Sequence, residues 1–256
     1  MNDVAQTMRV VRYTNRAFWR NPANAFFTFA FPLMFLVIFT ALFGSGTVPA
    51  AGRRIAVSTF YVGAILSFAI ITATYTNLAI NLTFTRDFGI LKRVRGSPMQ
   101  PWSFIVGRIL HAILVTIILV VIVVTFGALF YDAEVPSDTL PAFLTTIAVG
   151  AASFSALGMA VTSVIPNPDA APAIVNISIL PLLFLSGIFI PIQDPNAWYV
   201  TVAKIFPVYH FAQAMESSYF SLSGSGFEGG HLLIVGAWGL AGVILAVLFF
   251  SWEPRR

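Results

Sequence analysis

FTRDFGILKRVRGSPMQP, residues 84–101, is a polar interruption between two long apolar runs, and where it sits decides the fold. It sets Arg86, Lys92, Arg93 and Arg95 against one acid, Asp87, while Gly89, Gly96, Pro98 and Pro101 break any long helix. An arginine or lysine at mid-bilayer costs about 2.5–3.5 kcal/mol on insertion scales, so this cluster lies outside the hydrocarbon, on the cytoplasmic side. Roughly ten residues between the breakers suffice for a short helix lying across the membrane surface, where a soluble partner can push on it.

Working outward, the 256-residue chain is 58% hydrophobic and only 9% charged, with 25 phenylalanines and a mean hydropathy of +0.86. Ordinary globular domains carry about 25% charged residues, so this chain has too little polar surface to live in water and is read as an integral membrane protein. The first 20 residues hold four arginines and no continuous apolar core, and no small-residue cleavage signal follows, which argues against a removable signal peptide. Absence of cysteine excludes disulfides and thiolate metal sites. The net charge of +4 gathers near membrane edges and reads as topology and headgroup attraction rather than a nucleic-acid surface.

Taken in order, residues 4–20 form either an interfacial amphipathic helix or a simple positive flank. Arg9, Arg12, Arg16 and Arg20 share one face, and Val4, Met8, Val11, Phe18 and Trp19 fall opposite, toward the acyl boundary. Apolar runs at roughly 25–43, 57–84, 104–131, 142–165, 170–192 and 231–252 each approach the 20 residues a spanning helix needs. The segment 193–227 carries Pro195 and Pro207 with many aromatics; it is too interrupted to span and reads as short re-entrant helices at the outer leaflet. The fourth run is rich in small residues from Gly150 to Gly158, which permit close helix packing. The expected fold is therefore all-α, a single transmembrane domain over 1–256. It has six transmembrane helices, an N-terminal interfacial helix, a cytoplasmic helix between spans two and three, and an outer re-entrant segment between spans five and six.

Charge sets the orientation. With both termini inside, eleven bases (Arg9, Arg12, Arg16, Arg20, Arg86, Lys92, Arg93, Arg95, Arg108, Arg255 and Arg256) are cytoplasmic. Only Arg53, Arg54 and Lys204 lie outside, and the first two run against the rule. The second run carries a polar stripe, Thr74, Asn77, Asn81 and Thr85, at three- and four-residue steps. It lines either a translocation path or an interhelical hydrogen-bond interface.

Catalytic machinery is missing. Neither lysine follows a glycine, so no phosphate-cradling G-x-x-x-x-G-K-[ST] loop exists, and no H-E-x-x-H or G-x-S-x-G occurs. His111, His210 and His231 lie near span ends without metal-ligand spacing, and no acid pair is buried in mid-span to relay protons. The work this chain does is expected to be powered from outside it.

Two stretches carry a family resemblance: residues 86–98, RDFGILKRVRGSP, and 184–191, FLSGIFIP, the latter followed by Trp198, the AKIFP of residues 203–207 and residues 212–215. With the order of the spans, they make the chain resemble the type-2 ATP-binding-cassette membrane permeases, above all the daunorubicin-resistance type of drug and natural-product exporter. One departure is Asp87, where the family more often has glutamate. The resemblance implies a coupling helix built on Arg86, Asp87, Phe88, Gly89, Leu91, Lys92, Arg93 and Arg95 that docks into a separate ATPase subunit. It implies two ATPase copies, a second permease, identical or related, and a path between the permeases lined by spans two and five. Thr74, Asn77, Asn81, Asn176 and Phe184 are the path candidates. The permease then holds no cofactor of its own, ATP and Mg²⁺ being bound by the ATPase, and is not itself an enzyme. The cargo is expected to be a drug, natural product or other amphipathic molecule leaving through the plasma membrane. Export of surface lipid or polysaccharide is the alternative, and ion-coupled secondary transport a further one.

Overall fold

In the computed structural model, residues 3–43, 46–50, 53–192, 194–220 and 224–253 are described. Residues Arg255 and Arg256, counted among the cytoplasmic bases, lie outside them. Helix α1 (Asp3–Trp19) leads through an Asn21 cap, whose Oδ1 accepts the Asn24 amide at 3.2 Å, into α2 (Pro22–Phe43). Next comes an antiparallel hairpin, β1 (Thr47–Ala50) and β2 (Arg53–Ala56), where the sequence reads as plain loop. Arg54 closes it by donating to Thr47 Oγ1 at 2.9 Å.

The second span is the axis of the fold. It runs from α3 (Val57–Ile71) through a π-turn at Thr72–Thr76 into α4 (Asn77–Asp87), and every residue from Thr59 to Ile71 is buried. Eighty-nine per cent of its apolar window is enclosed by protein, against 11% for α2, which leaves α2 to face lipid or another chain. Then come α5 (Ile90–Arg95), α6 (Pro101–Tyr131) and α7 (Leu140–Val161), and after them α8 (Ala171–Leu185), α9 (Trp198–Ala203), α10 (Pro207–Phe220) and α11 (Gly229–Phe249).

Five of these are long and apolar enough to cross a membrane: α2, the α3–α4 rod, α6, α7 and α11. The fifth expected span, 170–192, is helical only through Leu185. At 15 residues α8 rises about 22 Å, short of a hydrocarbon core of about 30 Å. It stops because Gly187 takes φ +88°, a left-handed turn open to glycine, and the chain folds back. That return drives Phe189 into the protein, where its ring meets those of Phe35, Phe39, Phe68 and Phe184 at centroid distances of 4.9–5.8 Å.

Lipid supplies no hydrophobic drive between helices, so close packing does the work. The small residues of α7 provide it. Gly239 and Gly242 of α11 lie against Ser153 and the Ala156–Leu157 backbone, and Gly150 accommodates the ring of Phe211 from α10. Similarly, Gly107 of α6 admits Val10, since a Cβ there would fall 2.7 Å from Val10 Cβ. The face α1 presents to the protein is thus Gln6, Thr7, Val10, Thr14 and Phe18, so Phe18, expected at the acyl boundary, packs inward instead. Val4, Met8 and Trp19 stay exposed.

Candidate functional site

The interruption that organises the sequence is a helix-turn-helix elbow. Helix α4 ends at Asp87, Gly89 takes φ +70° to turn the chain, and α5 runs six residues to the Gly96 cap. Ser97 then accepts the Met99 amide at 3.2 Å, bending the chain into α6, whose first turn is opened by Pro101. Phe88, Ile90, Lys92, Arg93 and Arg95 are exposed along this elbow, and Asp87 and Gly89 are half-buried.

Two residues that charge and position group with them turn inward, which corrects their role. Leu91 is fully buried and packs with Leu78, Leu82 and Phe104, pinning α5 to span two. Arg86 is only 1% exposed, and its guanidinium donates to the carbonyls of Thr162 at 2.9 Å and Ile165 at 2.7 Å. Those carbonyls close the C-terminal end of α7, where a helix carries partial negative charge. Arg86 therefore ties the elbow to the fourth span and leaves surface contact to its neighbours.

The polar stripe of span two divides, because the π-turn rotates the helix beyond it. Thr74 is buried and donates to the Ile70 carbonyl at 2.6 Å. Asn77 and Asn81 line a cavity of about 190 Å³ with residues of α1, α2 and α6, including Arg108 and His111. Asn176 and Phe184 stand exposed on α8, apart from that cavity. Sequence reasoning missed Tyr75. The Ser178 hydroxyl donates to the Val175 carbonyl, so Tyr75 Oη–H donates to Ser178 Oγ at 2.7 Å, bridging spans two and five. This pair borders an apolar cavity of about 590 Å³ walled by α7, α8, α10 and α11, with Phe154, Leu182 and Trp238 in its lining. Single-turn π insertions recur at functional sites, and this one puts Tyr75 at the wall of the larger cavity.

The cap formed by α9 and α10, of 6 and 14 residues, is too short to span. His210 Nε2–H donates to the Lys204 carbonyl at 2.8 Å, so its Nδ1 accepts from His231 Nδ1–H at 2.7 Å, fastening α10 to the start of α11. Glu216 of α10 is buried, and burial pushes its carboxyl up to about 8 from 4.5. The same burial, with Glu216 beside it, raises the Tyr209 phenol. The folded state holds the Glu216 proton more tightly than the unfolded chain, so its penalty is absent below about pH 4.5 and grows as pH rises toward 8. Glu216→Gln is expected to leave thermal stability at pH 4 unchanged and to raise it at pH 9 by a few kcal/mol. Tryptophan-monitored melting in detergent reads both; an equal gain at the two pH values would assign the effect to packing.

Helices of spanning length around one buried rod, with a basic elbow at one end, define a polytopic membrane protein. The chain belongs to the ABC-2 type transporter family, whose profile matches residues 5–220. Its relatives include a protein of Pyropia yezoensis named as the putative transport permease ycf38, 24% identical over 206 residues, covering 80% of this chain and 70% of that one. A protein of Streptomyces coeruleorubidus named as the daunorubicin resistance ABC transporter permease DrrB1 is 25% identical over 185 residues, 72% of this chain and 64% of its own. The Escherichia coli K12 protein named as the probable multidrug ABC transporter permease YbhR is 23% identical over 142 residues, 55% of this chain and 38% of its own.

Proposed function

We propose that this chain is the transmembrane subunit of an ATP-driven exporter, moving a drug, natural product or other amphipathic molecule out of the cytoplasm, with its basic elbow facing inward and docked on a separate ATPase. The observation that carries this reading is the elbow. It offers Phe88, 68% exposed, beside Lys92, Arg93 and Arg95, yet is bolted to the buried second span by Leu91 and to the fourth by Arg86. A load applied at α5 passes into α4 without being absorbed in loop flexibility. From there it reaches the π-turn and the Tyr75–Ser178 bond, the joint between spans two and five.

Two such permeases on two ATPase subunits would rock as the ATPases close, a rigid-body motion about an interface. Names of relatives that mention drug resistance support the cargo class. So does the 590 Å³ apolar cavity with one polar pair at its wall, the composition of a site that accepts a mainly apolar molecule and orients it. ATP and Mg²⁺ would be held by the partner, and the permease would contribute contact and lever.

Reversing charge on the exposed elbow, Asp87→Lys with Arg93→Glu, tests this. In cells coexpressing a cognate ABC ATPase, the double variant is expected to insert normally, to lose copurification with the ATPase and to drop export about tenfold or more. Full export by the variant would count decisively against the reading. So would flux into liposomes by the chain alone under a proton or sodium gradient, which would make it a secondary transporter.

A further inference from the structure

We propose that the cavity between α1, α2, α4 and α6 binds a phosphate group, carried either by an inner-leaflet phospholipid headgroup or by a soluble phosphate. Such a site rests on the inward orientation of the basic end but not on coupling to an ATPase. Its depth fits. Helix α6, at 31 residues, is about 46 Å long against a core of about 30 Å, so about 16 Å lies outside the hydrocarbon. Arg108 stands seven residues from Pro101, about 10 Å along α6, and with that length shared between the two ends it sits near the boundary of headgroups and hydrocarbon, within reach of a headgroup phosphate.

The lining is built for an anion. Arg108 is half-buried; its guanidinium makes a long 3.4 Å contact to Thr85 Oγ1, lies over the face of Phe104 at 5.9 Å and feels the Tyr13 phenol and the His111 ring, none of them a carboxylate. No carboxylate among the described residues lines the cavity, so the positive charge is uncompensated there. The N-terminus of α2 adds its partial positive charge, with Asn21 and Asn24 in the wall. Across from it, the Asn81 amide donates to the Asn77 carbonyl at 2.8 Å, and both side chains line the cavity.

Two orphaned groups make the independent observation. Thr14 Oγ1 and His111 Nε2 both belong to lining residues more than nine-tenths enclosed, at 9% and 8% exposure, and neither has a hydrogen-bond partner among the described residues. A buried hydroxyl and imidazole nitrogen left unsatisfied cost free energy that a phosphate oxygen would recover. Arginine with hydroxyl and amide donors is the usual chemistry of phosphate recognition.

The test uses the purified full chain, delipidated in detergent, with three probes read by native mass spectrometry: phosphatidylglycerol, diacylglycerol and inorganic phosphate. Phosphatidylglycerol is expected to bind about tenfold more tightly than diacylglycerol, and Arg108→Gln to remove that preference. Thr14→Val, an isosteric change that rids the fold of an unsatisfied hydroxyl, is expected to weaken phosphatidylglycerol severalfold while the melting temperature holds or rises. Displacement of the lipid by millimolar inorganic phosphate would support the site with a soluble phosphate as its source; failure to displace would assign it to the headgroup. Equal binding of phosphatidylglycerol and diacylglycerol would overturn the proposal. Wild-type lipid preference in a folded Arg108→Gln or Thr14→Val variant would overturn it too.

Discussion

Arg86→Met is expected to destabilise the protein by roughly 3 kcal/mol or more and to detach the elbow from the fourth span. The side chain is fully enclosed, and its removal takes the 2.7 Å donor from the buried Ile165 carbonyl and the 2.9 Å donor from that of Thr162, which keeps only the 3.3 Å bond from the Ile165 amide. Each such carbonyl left without a donor costs about 1–3 kcal/mol, a large share of a total stability of about 5–15 kcal/mol. The favourable meeting of a cation with the C-terminal end of α7 is lost as well. Arg86→Lys is expected to recover only part, because one ammonium lacks the planar fork that reaches both carbonyls at once. Melting followed by tryptophan fluorescence measures the loss, and protease cutting in the 162–170 turn reports the detachment. Arg93→Met, a change of the same kind at an exposed position, sets the baseline at about 0.5 kcal/mol or less. If both variants melt alike, Arg86 is not a strut.

That contrast marks how far residues 84–101 are legible from sequence alone. Hydropathy exposes the spans because a bilayer imposes a length on them, and five runs became helices of spanning length at nearly the expected positions. The breakers Gly89 and Gly96 likewise delimit α5. Charge alone, however, puts Arg86 with Lys92, Arg93 and Arg95, since its partners lie 76 and 79 residues further along the chain. No local pattern announces a contact at that separation.

The stripe on span two divides for a different reason. A three- and four-residue step places Thr74, Asn77 and Asn81 on one face only while the helix keeps 3.6 residues per turn. The π-turn at Thr72–Thr76 inserts extra backbone there, so Thr74 turns into the core, Tyr75 reaches span five, and the two asparagines face α1 and α6. The sequence TATYT carries no signature of that insertion. The stop at Gly187 is half legible: glycine after serine hints at a turn, but only its φ of +88° shows that the helix has ended seven residues before the apolar run does.

Gly158→Leu is the second large effect expected, and it arises at the same π-turn. A Cβ at Gly158 would lie 2.8 Å from the Tyr75 carbonyl oxygen, 3.1 Å from Tyr75 Cα and 3.2 Å from the Thr74 oxygen. All three atoms are backbone, so no side-chain rotation relieves the clash, and α7 has to move off span two. Even alanine there is expected to cost about 1–3 kcal/mol by overpacking, and leucine to prevent α7 from seating at all. Because Tyr75 is the residue displaced, the Tyr75–Ser178 bond and the wall of the 590 Å³ cavity go with it, so the proposed export should fall further than stability alone predicts. Gly236→Ala supplies the opposite sign. That glycine has nothing within 4 Å of a built Cβ, and alanine is the better helix former by about 1 kcal/mol, so this variant should melt no lower than the parent. Comparable melting temperatures for Gly158→Ala and Gly236→Ala would mean that α7 does not rest on the π-turn, and the route from the elbow to span five would lose its middle link.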